Sequence, residues 1–335
     1  MLVVQRAVEA PDAFAEWRSR REFSAVDAHP ITGEFGRRYY PAVFGEARRD
    51  ESFAVMEQSE PLLLVLCTVG QGQLDYFGFP IKLFVSSGLA REKAVASISA
   101  AFAQFDDLMA QNETRGTVIL DEESHGTLSV VGKECLNRKF SAALRLSAVC
   151  DLAEGERGIK RAVRKSYQSL INWGRRNLTM VFVNVGNADQ RAFVQYQDFH
   201  HRIAGRSTRP QQSWDVMFES IASGIGELSL GFLSDGSLVS GTMIFDGAST
   251  AYYMSGVYDR DRFDLPLAHW PIWLAMTRSA ERGMRIFDVG DVPLEGAASK
   301  KECAIGYFKR GFATAICSNL AWAQNARASD EAPEI

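Results

Sequence analysis

Apolar and polar positions follow one order in two separate stretches of the chain. From residue 53 they read as a strand at 53–57, a turn at 58–61, a strand at 62–69, a turn at 70–73 and a strand at 74–78. A helix is predicted over about 91–111, because Val95, Ile98, Phe102, Phe105 and Leu108 recur at helical spacing. The stretch closes on Gly116-Thr-Val-Ile-Leu-Asp121. The second stretch reads as a strand at 230–233, a turn at 234–237 and a strand at 238–245, with Asp235-Gly236 as the hairpin signal. A turn at 246–249, a strand at 250–258, a loop at 259–265 and a helix at about 266–282 follow. Pro266 suits a first helical turn, where its missing N–H would be unpaired anyway. This stretch closes on Gly283-Met-Arg-Ile-Phe-Asp288. The shared order, lengths and Gly-x-x-Ile-(Leu/Phe)-Asp ending predict two similar α/β lobes.

Between these patterns, 140–151 reads as an apolar strand, 155–177 as a helix and 189–206 as another helix. After Trp322 large apolar residues almost vanish, so 323–335 is expected to be a flexible tail. The expected division is an N-terminal lobe at 1–150 and a C-terminal lobe at 151–322.

The 335 residues are 46% hydrophobic and 23% charged, enough to bury a sizeable core. With 37 basic and 41 acidic side chains the net charge is −4, which does not mark a general nucleic-acid binder. The five cysteines, Cys67, Cys135, Cys150, Cys303 and Cys317, form no CxxC pair. They read as buried free thiols of a reducing compartment. His200 and His201 are adjacent and point to different helix faces, and no HxxxH or HExxH occurs, so no metal is expected. Residues 1–17 lack the build of a signal peptide, and the apolar run near 62–66 is too short to span a membrane. The expected location is cytoplasmic. No GxSxG elbow or P-loop supports a hydrolase or kinase.

One local feature departs from the acidic average. Arg157, Lys160, Arg161, Arg164, Lys165, Arg175 and Arg176 fall within twenty residues that hold no acidic side chain. Ile159, Val163, Tyr167 and Leu170 lie at helical spacing among them, leaving a cationic face opposite. Such a face holds phosphates through charge-assisted bonds, or is simply solvated.

The second stretch resembles the FemAB family of tandem-GNAT aminoacyltransferases and related GNAT-like domains. The residues that carry the likeness are Gly231-Phe-Leu, Ser240-Gly-Thr-Met-Ile, Ala251-Tyr-Tyr-Met-Ser-Gly256, Leu267-Ala-His-Trp270 and Ala280-Glu-Arg-Gly283. Ile286-Phe-Asp-Val-Gly-Asp291 and Ile305-Gly-Tyr-Phe-Lys-Arg-Gly-Phe312 complete it. The likeness covers about the last 170 residues, and the first lobe by architecture alone. It implies an α/β (α+β) fold of two GNAT-like lobes, each a mixed, mostly antiparallel sheet flanked by helices. It also implies direct acyl or aminoacyl transfer from an activated donor to an amine, with no tightly bound cofactor. The donor would be acyl-CoA, an acyl-carrier protein or an aminoacyl-tRNA. The acceptor would be a sugar, a cell-envelope precursor or a small metabolite. The loop Asp259-Arg-Asp-Arg-Phe-Asp-Leu-Pro266 lacks the (Gln/Arg)-x-x-Gly-x-(Gly/Ala) turn of simple acetyl-CoA enzymes, and the family's coiled-coil insertion is absent. A GNAT-fold binding protein without catalysis stays open as an alternative.

Candidate residues follow. Lys309, in the family-like Phe-Lys pair, would assist backbone N–H groups in holding the donor where negative charge develops, or else be a strand-end lysine on the surface. Asp288 or Asp291 would position or deprotonate the amine, or else cap a turn. His269 would be a base at neutral pH, or a packed histidine. Arg161, Arg164, Lys165, Arg175 and Phe308 are donor or phosphate contacts. Tyr253, Tyr258 and Tyr307 are acceptor-pocket residues or plain strand packing.

Overall fold

The structure is a computed structural model that describes residues 1–112, 114, 116–122, 127–294, 296 and 298–324. It opens with strand β1 (Leu2–Arg6), helix α1 (Pro11–Ser19) and helix α2 (Glu34–Phe44). Short strands β2 (Arg49–Asp50), β3 (Phe53–Glu57), β4 (Glu60–Leu66), β5 (Thr68–Gly70), β6 (Gln73–Asp75) and β7 (Lys82–Val85) precede helix α3 (Arg91–Gln111). Strand β8 (Thr117–Glu122), helix α4 (Val130–Asn137) and strand β9 (Ser141–Asp151) follow. Helices α5 (Gly155–Ala162) and α6 (Tyr167–Asn177), strand β10 (Thr179–Val183), and helices α7 (Gln190–Ala204) and α8 (Gln211–Ala222) come next. The chain then runs through β11 (Gly226–Phe232), β12 (Leu238–Asp246), β13 (Thr250–Tyr258), α9 (His269–Glu281), β14 (Ile286–Val292), α10 (Lys300–Arg310) and β15 (Ala315–Gln324).

These elements form two compact units. The first holds Met1–Asp27, Phe44–Arg145 and the chain from Ser318; the second holds Ala28–Val43 and Leu146–Cys317. The division expected at residue 150 is therefore interleaved. Within the second unit the ring of Phe35 on α2 stacks on Phe245 at 4.0 Å, and Arg209 donates to the Tyr39 hydroxyl at 3.0 Å. Near the other end, Trp322 is 2% exposed in the core of the first unit.

In the first unit an antiparallel sheet runs β1-β3-β4-β7. Phe53, Val55, Leu63 and Val65 on it share a core with Ile98, Phe102 and Phe105 of α3. The expected strand at 62–69 breaks at Cys67, whose N–H turns to the Ser52 hydroxyl at 3.2 Å. Beyond the break, β5 pairs with β6, and Leu74 of β6 pairs in parallel with Thr117 of β8.

In the second unit the strands lie in the order β10-β11-β12-β13-β14-β9, all antiparallel except β13 with β14. Both units thus place a helix between two strands that pair in parallel, which is the structural form of the sequence echo. One face of the second sheet packs Ile244, Ala251, Phe287 and Val289 against Ile159 of α5, Ile171 of α6, and Ile272 and Met276 of α9. On the other face Gly241 lets the ring of Tyr196 from α7 lie directly on the strand, because a Cβ there would stand 2.6 Å from its carbons.

Two helices differ from expectation. The helix predicted over 155–177 is broken at Val163, which takes extended backbone, and the next N–H, of Arg164, donates to the Gly311 carbonyl at 2.8 Å. The helix expected from 266 begins at His269, so Pro271 rather than Pro266 occupies its first turn. From residue 325 the expected tail lies outside the described residues.

Helix α9 is fixed at its C-terminal end by a buried carboxylate. Glu227 at the start of β11 is 4% exposed and accepts from both guanidinium arms of Arg278. Asn184 donates to the same carboxylate at 3.0 Å, and Arg278 stacks on the Phe182 ring at 4.1 Å. Arg282 forks onto Asp246 at 2.7 and 3.0 Å. Removing Arg278 leaves the buried Glu227 with only the Asn184 amide and a longer ion pair to Arg282 at 3.6 Å. Arg278→Ala is expected to lower stability by about 3 kcal/mol in urea denaturation; a loss below about 1 kcal/mol would mean the pair contributes little net stability.

Candidate active site

Strands β13 and β14 pair over only three residues, Thr250 with Ile286, Ala251 with Phe287 and Tyr252 with Asp288. Beyond them β13 stays on β12 as far as Tyr258, while β14 stays on β9 as far as Val292. The strands therefore part, and among the described residues no strand pairs with the edge of β13 facing away from β12 from Tyr253 onward. Backbone groups left without a ladder partner need water or a ligand. The branches of a split between parallel strands, beyond their C-terminal pairing, are also where α/β sheets offer ligand space.

Asp288 is the last paired residue before the split. The register of β14 against β9 shifts between Asp288 and Gly290, the mark of a bulge, and Gly290 has φ +100°. The Gly290 N–H donates to Asp288 Oδ1 at 2.7 Å. Lys309 reaches this bulge from α10: its Nζ donates to the Asp291 carbonyl at 3.1 Å and lies 2.9 Å from where a Cβ on Gly290 would stand. Lys309, Asp288 and Asp291 are thus brought together. Burial raises the Asp288 carboxyl above its ordinary value; Asp291 adds to this, while the Gly290 N–H and Lys309 oppose it. Burial lowers the Lys309 ammonium, against Asp291 and Asp288, which hold its proton.

The closing Phe-Lys-x-Gly-Phe motif is the end of a helix. Ser299 and Glu302 form a capping box that starts α10. Gly306 seats the helix on Pro293, where a Cβ would come within 2.7 Å of the ring. Phe308 and Phe312 pack with Tyr167 of α6 and His269 of α9, with ring centroids between 4.5 and 6.1 Å apart. Gly311 has no side chain because the Tyr167 ring fills that space. Phe308 is therefore packed inward, while Lys309 points to the bulge at the split.

The remaining candidates separate. The Tyr253 and Tyr258 hydroxyls meet at 2.9 Å, and Tyr258 reaches Thr242 at 3.2 Å, forming a hydroxyl chain along the branch of β13. Burial keeps both phenols protonated, with Tyr253 held well above its ordinary value. Tyr307 is exposed on α10, with the Arg164 guanidinium 3.9 Å from its ring centre. Arg164 also donates to the Tyr167 hydroxyl and the Tyr307 carbonyl, both at 3.2 Å, so it pins α10. Arg161 pairs with Glu154 on α5, and Lys165 is exposed between α5 and α6. Arg175 and Arg176 are exposed at the end of α6, just after Gly174, which packs against Trp270 in the first turn of α9. The basic residues thus occupy three places rather than one face. Cys67, Cys135 and Cys150 are buried, Cys303 is half-buried and Cys317 is exposed.

Sequence reasoning missed Glu227, Tyr196 and Ser255. Tyr196 donates to the Ser255 hydroxyl at 2.9 Å, opposite the Tyr253 face, and burial pushes its phenol up to about 12.

His269 sits inside the aromatic cluster, and burial lowers its imidazole to about 4, against the Pro266 carbonyl. His200 is likewise lowered to about 4 by burial, then by Arg209 and His201. Both are neutral at pH 7 in the folded protein. Between the ordinary value of 6.5 and about 4 the unfolded chain binds more protons than the folded one. Stability is therefore expected to fall as pH drops through that window and to be unaffected by these groups above it. His269→Leu should make the decline shallower in thermal unfolding from pH 7 to 4; an unchanged slope would mean that His269 does not resist protonation.

No protein-family model matches the sequence, and no curated protein matches it. Solved structures do match in shape. FemX is 10% identical with a TM-score of 0.63, covering 92% of this chain and 95% of its own. A tandem GNAT protein from the clavulanic acid biosynthesis pathway is 12% identical with a TM-score of 0.58, covering 98% and 100%. L-PGS from Bacillus licheniformis is 11% identical with a TM-score of 0.56, covering 84% and 85%. No described helix is long and apolar enough to cross a membrane. With its parallel pair, intervening helix and strand split, the chain has a FemAB-like, tandem GNAT-like fold.

Proposed function

We propose that the second unit moves an acyl or aminoacyl group directly from an activated donor to an amine. The observation that carries this reading is the three-residue pairing of β13 and β14, with Asp288 at its end and Lys309 over the bulge beside it. A donor carbonyl laid along the open edge of β13 meets backbone N–H groups that no described strand uses. The amine nitrogen attacks that carbonyl carbon, and negative charge builds on its oxygen. Preorganised N–H groups and the Lys309 ammonium stabilise the charge. Asp288, with one carboxylate oxygen held by Gly290, takes the proton that the amine loses. The bond from the carbonyl carbon to the leaving sulfur or oxygen then breaks, and that group leaves with the proton Asp288 took from the amine. Holding both reactants in the split supplies much of the acceleration.

The donor is an acyl thioester, on CoA or a carrier protein, or an aminoacyl-tRNA ester. Arg175 and Arg176, beside the first turn of α9, suit the phosphates that these donors share. The acceptor is an amine of a sugar, a cell-envelope precursor or a small metabolite. The FemAB resemblance of the sequence favours the aminoacyl branch, and the fold shared with the clavulanic acid pathway protein, whose structure is described as without AcCoA, favours the thioester branch.

Titration with acyl-CoA thioesters and with charged tRNA chooses the donor, and saturable binding of one with transfer to an amine is expected. Lys309→Ala is expected to lower turnover about 100-fold or more without changing the thermal midpoint. Because the Asp288 carboxyl is raised, the acid limb of kcat/KM should lie above the ordinary carboxylate range, and Asp288→Asn should remove that limb. Unchanged turnover in Lys309→Ala would take Lys309 out of the reaction, and donor binding without transfer would leave a GNAT-fold binding protein.

A further inference from the structure

A second recess lies at the other end of the same strand. A groove of about 920 Å³ opens in the second unit where β14 begins, lined by α5, the end of β9 and the chain leaving α10. Ile286, in its wall, is two positions before Asp288 and five before Asp291 on β14, or roughly 7 and 16 Å at about 3.3 Å per residue. The groove thus opens at the start of β14 and the split beyond Asp288; Val149, the cross-strand partner of Asp288, lies in the groove wall.

Its charged lining is Asp151, Glu154, Arg161 and Arg285, and its apolar lining includes Ile286 and Ala315. Glu154 and Arg161 are spent on each other. Arg285 and Asp151 are not. The Arg285 backbone is engaged, its N–H with the Ser249 carbonyl and its carbonyl with the Leu152 N–H, both at 2.8 Å. Its exposed guanidinium has no ion-pair partner among the described residues. Asp151 Oδ1 accepts the Ala153 N–H at 2.8 Å, and that carboxylate also makes no ion pair among the described residues. Ile286 pairs with Asp151 across the two strands, so this cation and this anion occupy neighbouring positions and do not close on each other. Ile286 is 40% exposed beside them.

A simple anion would meet Asp151 and Glu154 in the same space as Arg285, and a simple cation would meet the two arginines. A ligand bearing both charges satisfies both. We propose that this groove binds a zwitterionic small molecule, an α-amino acid or short peptide with free termini. Its ammonium would lie on Asp151, its carboxylate in the Arg285 fork and its aliphatic side chain on Ile286. The volume suits a ligand of a few residues. The inference is independent of the acyl-transfer reading.

The test is isothermal titration of the full chain with the dipeptide Gly-Leu at low salt, with N-acetyl-Gly-Leu-amide and inorganic phosphate as comparisons. Saturable Gly-Leu binding is expected, weakened at least about tenfold by Arg285→Gln and by Asp151→Asn. Both side chains are exposed, so equal thermal midpoints would show that the variants stay folded. Backbone NMR shifts on binding should cluster at 151–161 and 285–286. Absence of saturable binding, equal binding of the blocked dipeptide, tighter binding of phosphate, or shifts centred on 288–291 and 309 would each overturn the proposal.

Discussion

Lys309 reaches the strand split only because the bulge in β14 carries Gly290. The ammonium passes 2.9 Å from the space a Cβ would fill, and φ +100° would strain any other residue there. The same bulge shifts the register of β14 on β9 just where its pairing with β13 ends. One backbone irregularity thus coincides with the open edge of β13, fixes one oxygen of Asp288 and admits the lysine. Substituting Gly290 would disturb all three together.

The helix that carries Lys309 is held from its opposite side. Phe308 and Phe312 pack on Tyr167 and His269, Arg164 binds the Tyr307 carbonyl, and Gly311 makes room for the tyrosine ring. These contacts tie α10 to α6 and α9. A lysine on a free helix would sample many rotamers; here the helix is anchored by close-packed rings, and its ammonium has a carbonyl to meet. His269 and Phe308 belong to this support rather than to the reacting groups.

Local patterns revealed the elements whose own residues decide them. The apolar stripe from Val95 to Leu108 marked α3 over Arg91–Gln111, and β13 runs over Thr250–Tyr258, the range read as a strand from the sequence. The sequence echo appears as a parallel pair in each unit. What stayed hidden depends on distant partners. The break at Val163 needs the Gly311 carbonyl, and the place of α2 needs Phe245 and Arg209. Helix α10 carries a readable capping box, but the Lys-Lys-Glu start gives it little apolar periodicity. Lys309, Asp288 and Asp291 were named from sequence and lie together. Arg161, Arg164 and Arg175 were named as one cationic face, and tertiary packing divided them.

In the proposed reaction the donor lies along the open edge of β13. Hydrogen exchange of the backbone amides tests it most directly, on the full chain with and without a saturating, hydrolysis-resistant analogue of whichever donor binds. Slowed exchange is expected at residues 253–258 and at the bulge of β14. Saturable donor binding that leaves those amides unchanged would contradict it.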